Sequence, residues 1–538
     1  MILAIMPMIV LPLVMALLLL WAPLRPWIAR ALGLAPVPGL LLMPAAWDGG
    51  YSSLTLQGGW STVLDQPGAL MLAASTLLWI IGGLAASRWL AGRAEQTGFA
   101  LWWLLTLSGS LGVFVAGDVV SFYALYALAS IPAYGLIVFA GGEDDRRAGR
   151  MTLAAALIGE GLILAAFVLL AVSAMGQGLA IAAVMHALPQ SPYATIILIL
   201  VVVGFGLKIG LVPLHGWMPL SYSAGPLAAT AVLSGATSKA GIIGLIRFLP
   251  HDTAMPLAGG LLVAAGLFSA LYGAVLGLTQ DNPRSVLAYS SISQLGQMAA
   301  VLGAGRAAGI PGADVVVAYY AVYHVLTKGG LFLLLGTQAG GRAIPPWQLV
   351  VAGIMALGFA GLPLTGGALG KLAFKDVAGG GMTGLLFSLA AIGSTVLMLH
   401  FLTLVRRATR PADRGSIPAA AWMSAVSAAT VLQWSLFSAV TGHSAADALK
   451  PVVIFELLLP VAAGALIAWA LAAADKQLPQ LPPGDISART AAALEKSSSF
   501  ARLVTRFETA ARQWPVSSLA LVVTLILFVV MHALRVPA

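Results

Sequence analysis

Apolar runs long enough to cross a bilayer recur along the whole chain, and they constrain its fold more than any other feature. A spanning helix needs about 20 predominantly apolar residues. Runs bounded by charge, Pro or Gly fall at 2–22, 31–46, 68–86, 99–116, 119–140, 151–174, 192–213, 225–249, 254–278, 285–303, 314–338, 349–374, 380–405, 419–441, 452–473 and 515–533. The sequence therefore predicts an all-α polytopic membrane protein with 14–16 transmembrane helices. Two runs are weak: 31–46 is short and carries prolines, and 285–303 is polar for a span. Composition agrees, because 60% of the 538 residues are hydrophobic and 9% are charged, against about 25% charged in an ordinary soluble domain.

The chain carries 28 Lys and Arg against 19 Asp and Glu, a net charge of +9. With the N-terminus outside, 19 of the 28 basic residues fall in inner loops, while Arg306, Lys450 and Arg535 fall outside. Lys and Arg mark the cytoplasmic side of membrane proteins, so the positive charge reads as topology and no nucleic-acid partner is implied. Cysteine is absent, which excludes disulfides and thiolate-ligated iron–sulfur centres. The first run lacks a basic start and a small-residue cleavage site, and it reads as a retained helix.

Ionisable residues lie where lipid is expected. A charge inside a spanning helix is expensive unless it faces protein or water. Glu160 lies in LIGEGLILAAF, Lys208 in VVVGFGLKIGLVPLHGW with His215 just beyond Pro213, and Lys239 in VLSGATSKAGIIGLIRF. His324 and Lys328 lie one helical turn apart in YYAVYHVLTKGGLFLLLG, and Lys371 and Lys375 follow GFAGLPLTGGALG. Lysine takes and releases protons when its burial and partners change, and histidine is a natural relay between lysines. Lys208, Lys239, His324, Lys328 and Lys371, with Glu160 and His215, are therefore the expected proton relay. Lys375 and Glu456, near helix ends, read as snorkelling or packing residues.

GLVPLHGWMP and GFAGLPLTGGALGK place Pro213 and Pro363 with glycines at membrane depth. Such interruptions free backbone groups that need polar partners, and they are common at ion sites. Their recurrence in two segments predicts two inverted repeats, each with a discontinuous helix. The chain then divides into N-terminal helices over 1–98, a first repeat over 99–249, a second over 254–405 and further helices over 419–473. A polar segment over 474–514 and a last helix over 515–538 follow. Within the polar segment Phe500, Leu503, Val504, Phe507 and Ala511 recur at helical spacing, which marks an amphipathic helix along the membrane or its neighbouring helices. A solvated cytoplasmic loop is the alternative. No phosphate loop or metal-like clustering of histidines is present, so no catalytic centre, metal or cofactor is expected in this chain.

Four segments carry a family resemblance: KIGLVPLHGWMPLSYSAGPLAATAVLSGATSKAGIIGLIRF at 208–248, DNPRSVLAYSSISQLGQM at 281–298, YHVLTKGGLFLLLG at 323–336 and GLPLTGGALGK at 361–371. They resemble the antiporter-like, proton-translocating membrane subunits of respiratory complex I, energy-converting hydrogenases and multisubunit Na⁺/H⁺ antiporters. The resemblance implies channel lysines at Lys208, Lys239 and Lys371, connected through His324 and Lys328, and discontinuous helices at Pro213 and Pro363. It also implies other antiporter-like and small membrane subunits as partners. Quinone or iron–sulfur centres would belong to soluble redox subunits, and protons and Na⁺ would be the ions moved.

One position departs from the family pattern. The family has a glutamate in the fifth helix, where FYALYALASIPAY at 122–134 places Ala127, and Leu220 replaces an aspartate in WMPLSY. Glu160 is read as a substitute carboxylate, as a helix–helix contact or as a contact to a partner subunit. The expected function is a proton-translocating subunit of a complex I-like, redox-driven assembly in a bacterial inner membrane. The alternatives are a subunit of a cation/proton antiporter or of a proton-coupled inorganic-carbon uptake complex, or a non-pumping membrane anchor.

Overall fold

The structure, a computed structural model, describes residues 4–484 apart from 50–51, 56–59, 94, 252–253, 339–342, 408–416 and 475–478. Most of the amphipathic segment expected over 474–514, and all of the last helix expected over 515–538, lie outside the described residues. Among the described residues, ten helices are long and apolar enough to cross a membrane. They are Gln66–Leu90, Gln96–Val115, Val119–Ala140, Glu143–Ser173, Leu227–Phe248, Pro256–Gly277, Ala313–Gln338, Gly381–Arg407, Ala419–Thr441 and Pro451–Ala473. Ile5–Leu18 and Ala22–Arg30, bent by 118°, make an eleventh if counted as one span. The chain is an all-α, multi-pass membrane protein.

Ten or eleven among the described residues is fewer than the 14–16 expected; the run at 515–533 lies outside the described residues, and other runs depart locally. In 31–46 the residues Gly33, Pro36, Pro38, Gly39 and Pro44 deny a continuous helix its donors and its rigidity, so the run folds into short 3-10 turns such as Val37–Leu42. These turns lie along Gln66–Leu90: a Cβ on Gly33 would meet Leu84, and one on Gly39 would meet Thr76. The run at 192–213 yields only Ala194–Ile209, a shorter apolar helix, and 349–374 divides into Pro346–Gly358 and Gly366–Ala378. The run at 285–303 forms a 26-residue helix, Pro283–Ala308, whose polar residues are buried in protein. A hairpin, Ser52–Thr55 with Ser61–Leu64, adds a short strand pair that the apolar runs do not announce.

Small residues set the closest helix pair. Gly259, Gly266 and Gly273 recur every seven residues on Pro256–Gly277 and meet Gly303, Gly296 and Tyr289 of Pro283–Ala308. A Cβ on Gly266 would sit 2.5 Å from the Gly296 carbonyl oxygen. Membrane helices lack a hydrophobic drive to associate and rely on such close backbone approach. One face of Pro283–Ala308 is thus used for packing, which leaves its serines and glutamines to the interior.

The turns gather at two ends of the bundle. At one end Gly305 approaches Ala313 and Val377, and Asp376 pairs with His443 at 3.3 Å. At the other, Arg284 donates to the Gly225 carbonyl at 2.8 Å, Gly225 lies against Ile137, and Gln280 donates to the Leu481 carbonyl at 3.1 Å.

Candidate functional site

Lys208 occupies the last turn of Ala194–Ile209. That helix stops because Gly210 adopts φ +70°, its N–H donating to Leu207 O at 3.2 Å and the Leu211 N–H to Gly206 O at 2.9 Å. This is the glycine-terminated Schellman arrangement, which satisfies carbonyls at a helix end. The next free donor, Val212 N–H, reaches Ser269 Oγ at 2.9 Å, and Pro213 follows. The second interruption repeats the pattern: Gly361 has φ +98°, its N–H donates to Gly358 O at 2.9 Å, the Leu362 N–H donates to Leu357 O at 3.2 Å, and Pro363 follows. Thr365 then caps Gly366–Ala378 by accepting from Ala368 N–H.

Lys208 Nζ donates to Ser130 Oγ at 2.7 Å and lies 5.4 Å from the Tyr126 ring centre. Glu160, from Glu143–Ser173, is buried and faces the same serine, and its carboxyl interacts electrostatically with Lys208. Ser130 stands one turn beyond Ala127 on Val119–Ser130. The carboxyl coupled to Lys208 thus comes from the neighbouring helix.

The middle of the row is sealed. Lys239 follows a π-helical stretch, Leu233–Thr237, an irregularity frequent at functional positions. Its Nζ donates to Ser238 Oγ at 3.1 Å and Ser234 O at 3.2 Å, and it lies 2.5 Å from His324 Nδ1. One turn on, Lys328 Nζ donates to Ser290 Oγ at 2.8 Å and Leu287 O at 3.3 Å, and it stands 4.4 Å from the Phe359 ring centre. Lys239, His324 and Lys328 are each 0% exposed.

Polar residues of Pro283–Ala308 continue the row. Ser290 meets Lys328, the Gln294 Oε1 accepts from Tyr320, and the Gln297 Oε1 accepts from Lys371 Nζ. Gln294 Nε2 also donates to Ser394 Oγ at 3.1 Å. Ser130, Ser290, Gln294 and Gln297 are site residues that sequence reasoning misses. The available signal is the polarity of run 285–303, which weakens it as a lipid-facing span and suits it to the bundle interior.

Two cavities touch the ends of the row. One, of about 530 Å³ including open solvent, is lined by Ser130, Lys208, Tyr222 and Ser238 and extends to Ile137 and Thr152 near the Gly225 turn. The other, of about 1180 Å³ including its open mouth, is lined by Ala360, Lys371, Lys375 and Glu456 and extends to Gly379–Gly381. Lys208 and Lys371 are half-buried, as groups bordering a cavity should be. His215 is fully buried beside Tyr272 and Tyr289, with ring centres 5.1 and 6.3 Å away. Lys375 and Glu456 pair with each other at 2.6 Å.

Apolar helices enclosing a row of ionisable groups define a multi-pass membrane protein of the ion-transport class. The chain belongs to the family described as NADH:quinone oxidoreductase/Mrp antiporter, TM, which matches residues 116–398. It is 29% identical to an NADH-quinone oxidoreductase subunit of Desulforudis audaxviator (strain MP104C), over 52% of this chain and 56% of that one. It is 26% identical to a Na(+)/H(+) antiporter subunit of Bacillus subtilis (strain 168), over 69% of this chain and 78% of that one. A chain of the Mrp complex from Dietzia sp. DQ12-45-1b shares the fold with a TM-score of 0.70 at 21% identity, over 98% of this chain and 63% of that one. This chain therefore spans little more than half of the Desulforudis relative and under two thirds of the Dietzia chain. It is a multi-pass protein of the bacterial inner membrane.

Proposed function

We propose that this chain is the ion-translocating membrane subunit of a multisubunit cation/proton antiporter-type assembly. Protons would move along Lys208, Lys239, His324, Lys328 and Lys371, in exchange for Na⁺. The observation that carries this reading is the placement of the two cavities: each touches one end of the row, and they lead toward opposite ends of the bundle. Between them the contacts of Lys239 and Lys328 are serines, carbonyls, an aromatic ring and a histidine. Positive charge arriving on one amine repels charge on the next, so a proton taken up at one end favours release at the other. Glu160 and Ser130 would supply to Lys208 what Ala127 lacks.

The shared glycine cap before Pro213 and Pro363 supports reading the two interruptions as discontinuous helices of inverted repeats over 99–249 and 254–405. The basic turns, Arg284 among them, support placing the Gly225 end in the cytoplasm. The Bacillus antiporter relative, aligned over 69% of this chain, supports the antiporter-type reading. The partners would be other antiporter-like membrane subunits. A redox assembly with quinone-reactive or iron–sulfur subunits is the second reading, favoured by the Desulforudis relative.

The test is proton movement in vesicles holding the assembled complex. Lys239→Ala and Lys328→Ala are each expected to abolish Na⁺-dependent proton movement without loss of assembly. Wild-type movement in both variants overturns the relay. Copurified iron–sulfur subunits would replace the antiporter reading with the redox one.

A further inference from the structure

Two residues that line the larger cavity form an ion pair. Lys375 Nζ, on Gly366–Ala378, meets Glu456 Oε2, on Pro451–Ala473, at 2.6 Å. Both residues line the cavity, and so does Lys371. Lys375 lies one helical turn beyond Lys371, so the pair stands between the end of the row and the Gly379–Gly381 turn. Its side chains are 63% and 51% exposed, and an ion pair that faces the water of a vestibule holds weakly. Such a contact closes a passage without locking it.

Both elements that carry the pair are built to shift. Pro460 sits four residues after Glu456 inside Pro451–Ala473 and lacks the N–H that would bond the Glu456 carbonyl, which weakens the helix at that turn. That helix is also the least buried of the candidate spans, with 11% of its apolar window inside the protein. Beyond Lys375 the chain turns through Gly379, Gly380 and Gly381, with φ of +68° and +65° at the first and third. A Cβ on any of the three would meet nothing within 4 Å. Nearby charges are paired among themselves, Asp376 with His443 at 3.3 Å and Asp447 with Lys450 at 2.7 Å.

We propose that the Lys375–Glu456 ion pair is the gate of an aqueous vestibule that connects Lys371 to the bundle end carrying the Gly379–Gly381 turn. In the closed state the two side chains bridge the mouth. In the open state Pro451–Ala473 leans away about Pro460, and the passage to Lys371 widens. This rests on the relay reading for its purpose, but its geometry is tested separately.

The chain has no native cysteine, so single reporter thiols can be read on it within the assembled complex. Ser388→Cys reports on the mouth and Ala391→Cys on the depth, since both positions line the cavity. A charged, membrane-impermeant thiol reagent is applied to each face of the vesicles in turn. Ala391→Cys is expected to react slowly, from one face only. Adding Glu456→Gln or Lys375→Gln is expected to speed that reaction by about tenfold, a one-decade shift in the open population. The exchanged pair, Lys375→Glu with Glu456→Lys, is expected to restore slow labelling. An unchanged rate overturns the gate. So does reaction from both faces, or reaction only with a membrane-permeant reagent, which would show a crevice open to lipid. Labelling does not depend on translocation. If Lys239→Ala and Lys328→Ala leave proton movement intact while labelling follows the pair, the relay fails and the gate stands.

Discussion

The two cavities place their charge compensation at opposite depths. In the first, a lysine and a carboxyl, Lys208 and Glu160, meet deep in the bundle around Ser130, and hydroxyls of Thr152 and Ser221 pair on the way to the turn. In the second, the deep lysine, Lys371, donates to the amide of Gln297 and lies 5.9 Å from the Tyr320 ring centre, and the lysine–carboxylate pair lies nearer the turn. A carboxyl near a deep amine stabilises its charged form. An amide oxygen accepts a hydrogen bond from it but supplies no charge. On the proposed relay, the first cavity would hold a proton at depth and the second would pass it outward.

Three changes break or sharpen this contrast. Glu160→Gln has the largest expected effect, because it removes the carboxyl that faces Ser130 and interacts electrostatically with Lys208. Proton movement in vesicles is expected to fall by more than about tenfold with assembly retained, and an unchanged rate would give Glu160 a packing role only. Gln297→Leu is milder, since it withdraws one hydrogen-bond acceptor from Lys371 at about 1–3 kcal/mol. Proton movement is expected to fall a few-fold, and the same flux assay checks it; a loss as deep as that of Glu160→Gln would erase the difference between the ends.

The smallest effect belongs to Asp447, in the turn beside the second mouth. Its hydrogen bonds to Lys450 and Ser444 hold its carboxyl well below the usual carboxylate range. A depressed value means that this contact is in force above the unfolded carboxyl range and is lost only as pH falls through the lower folded value. Acidification from pH 7 to about 5 should leave the turn intact, and Asp447→Asn should leave both translocation and Ala391→Cys labelling unchanged. A change in labelling would extend the gate to this turn.

Much of the site is legible in the sequence. Charge inside apolar runs is conspicuous because it is expensive in lipid, so Lys208, Lys239, His324, Lys328 and Lys371 stand out one by one. Serine and glutamine carry no such penalty, and Ser130, Gln294 and Gln297 become informative only once their helices meet the lysines. His215 reads as a relay member from its place beside Pro213, and its ring lies beside Tyr272 and Tyr289. Lys375 and Glu456 lie 81 residues apart, and nothing local marks them as a pair.

The sequence by itself determined the solvent of this protein, the membrane character of its helices and the residue types able to carry a proton, because these follow from composition and spacing along one chain. Tertiary structure decided which groups touch. It turned the weak run at 31–46 into 3-10 turns along a neighbouring helix, brought Glu160 to the serine one turn from Ala127, and left the two end lysines beside cavities while sealing the three groups between them. Burial and pairing depend on how helices distant in sequence pack, and that packing is set by small-residue contacts such as Gly266 on Gly296, which no single run encodes.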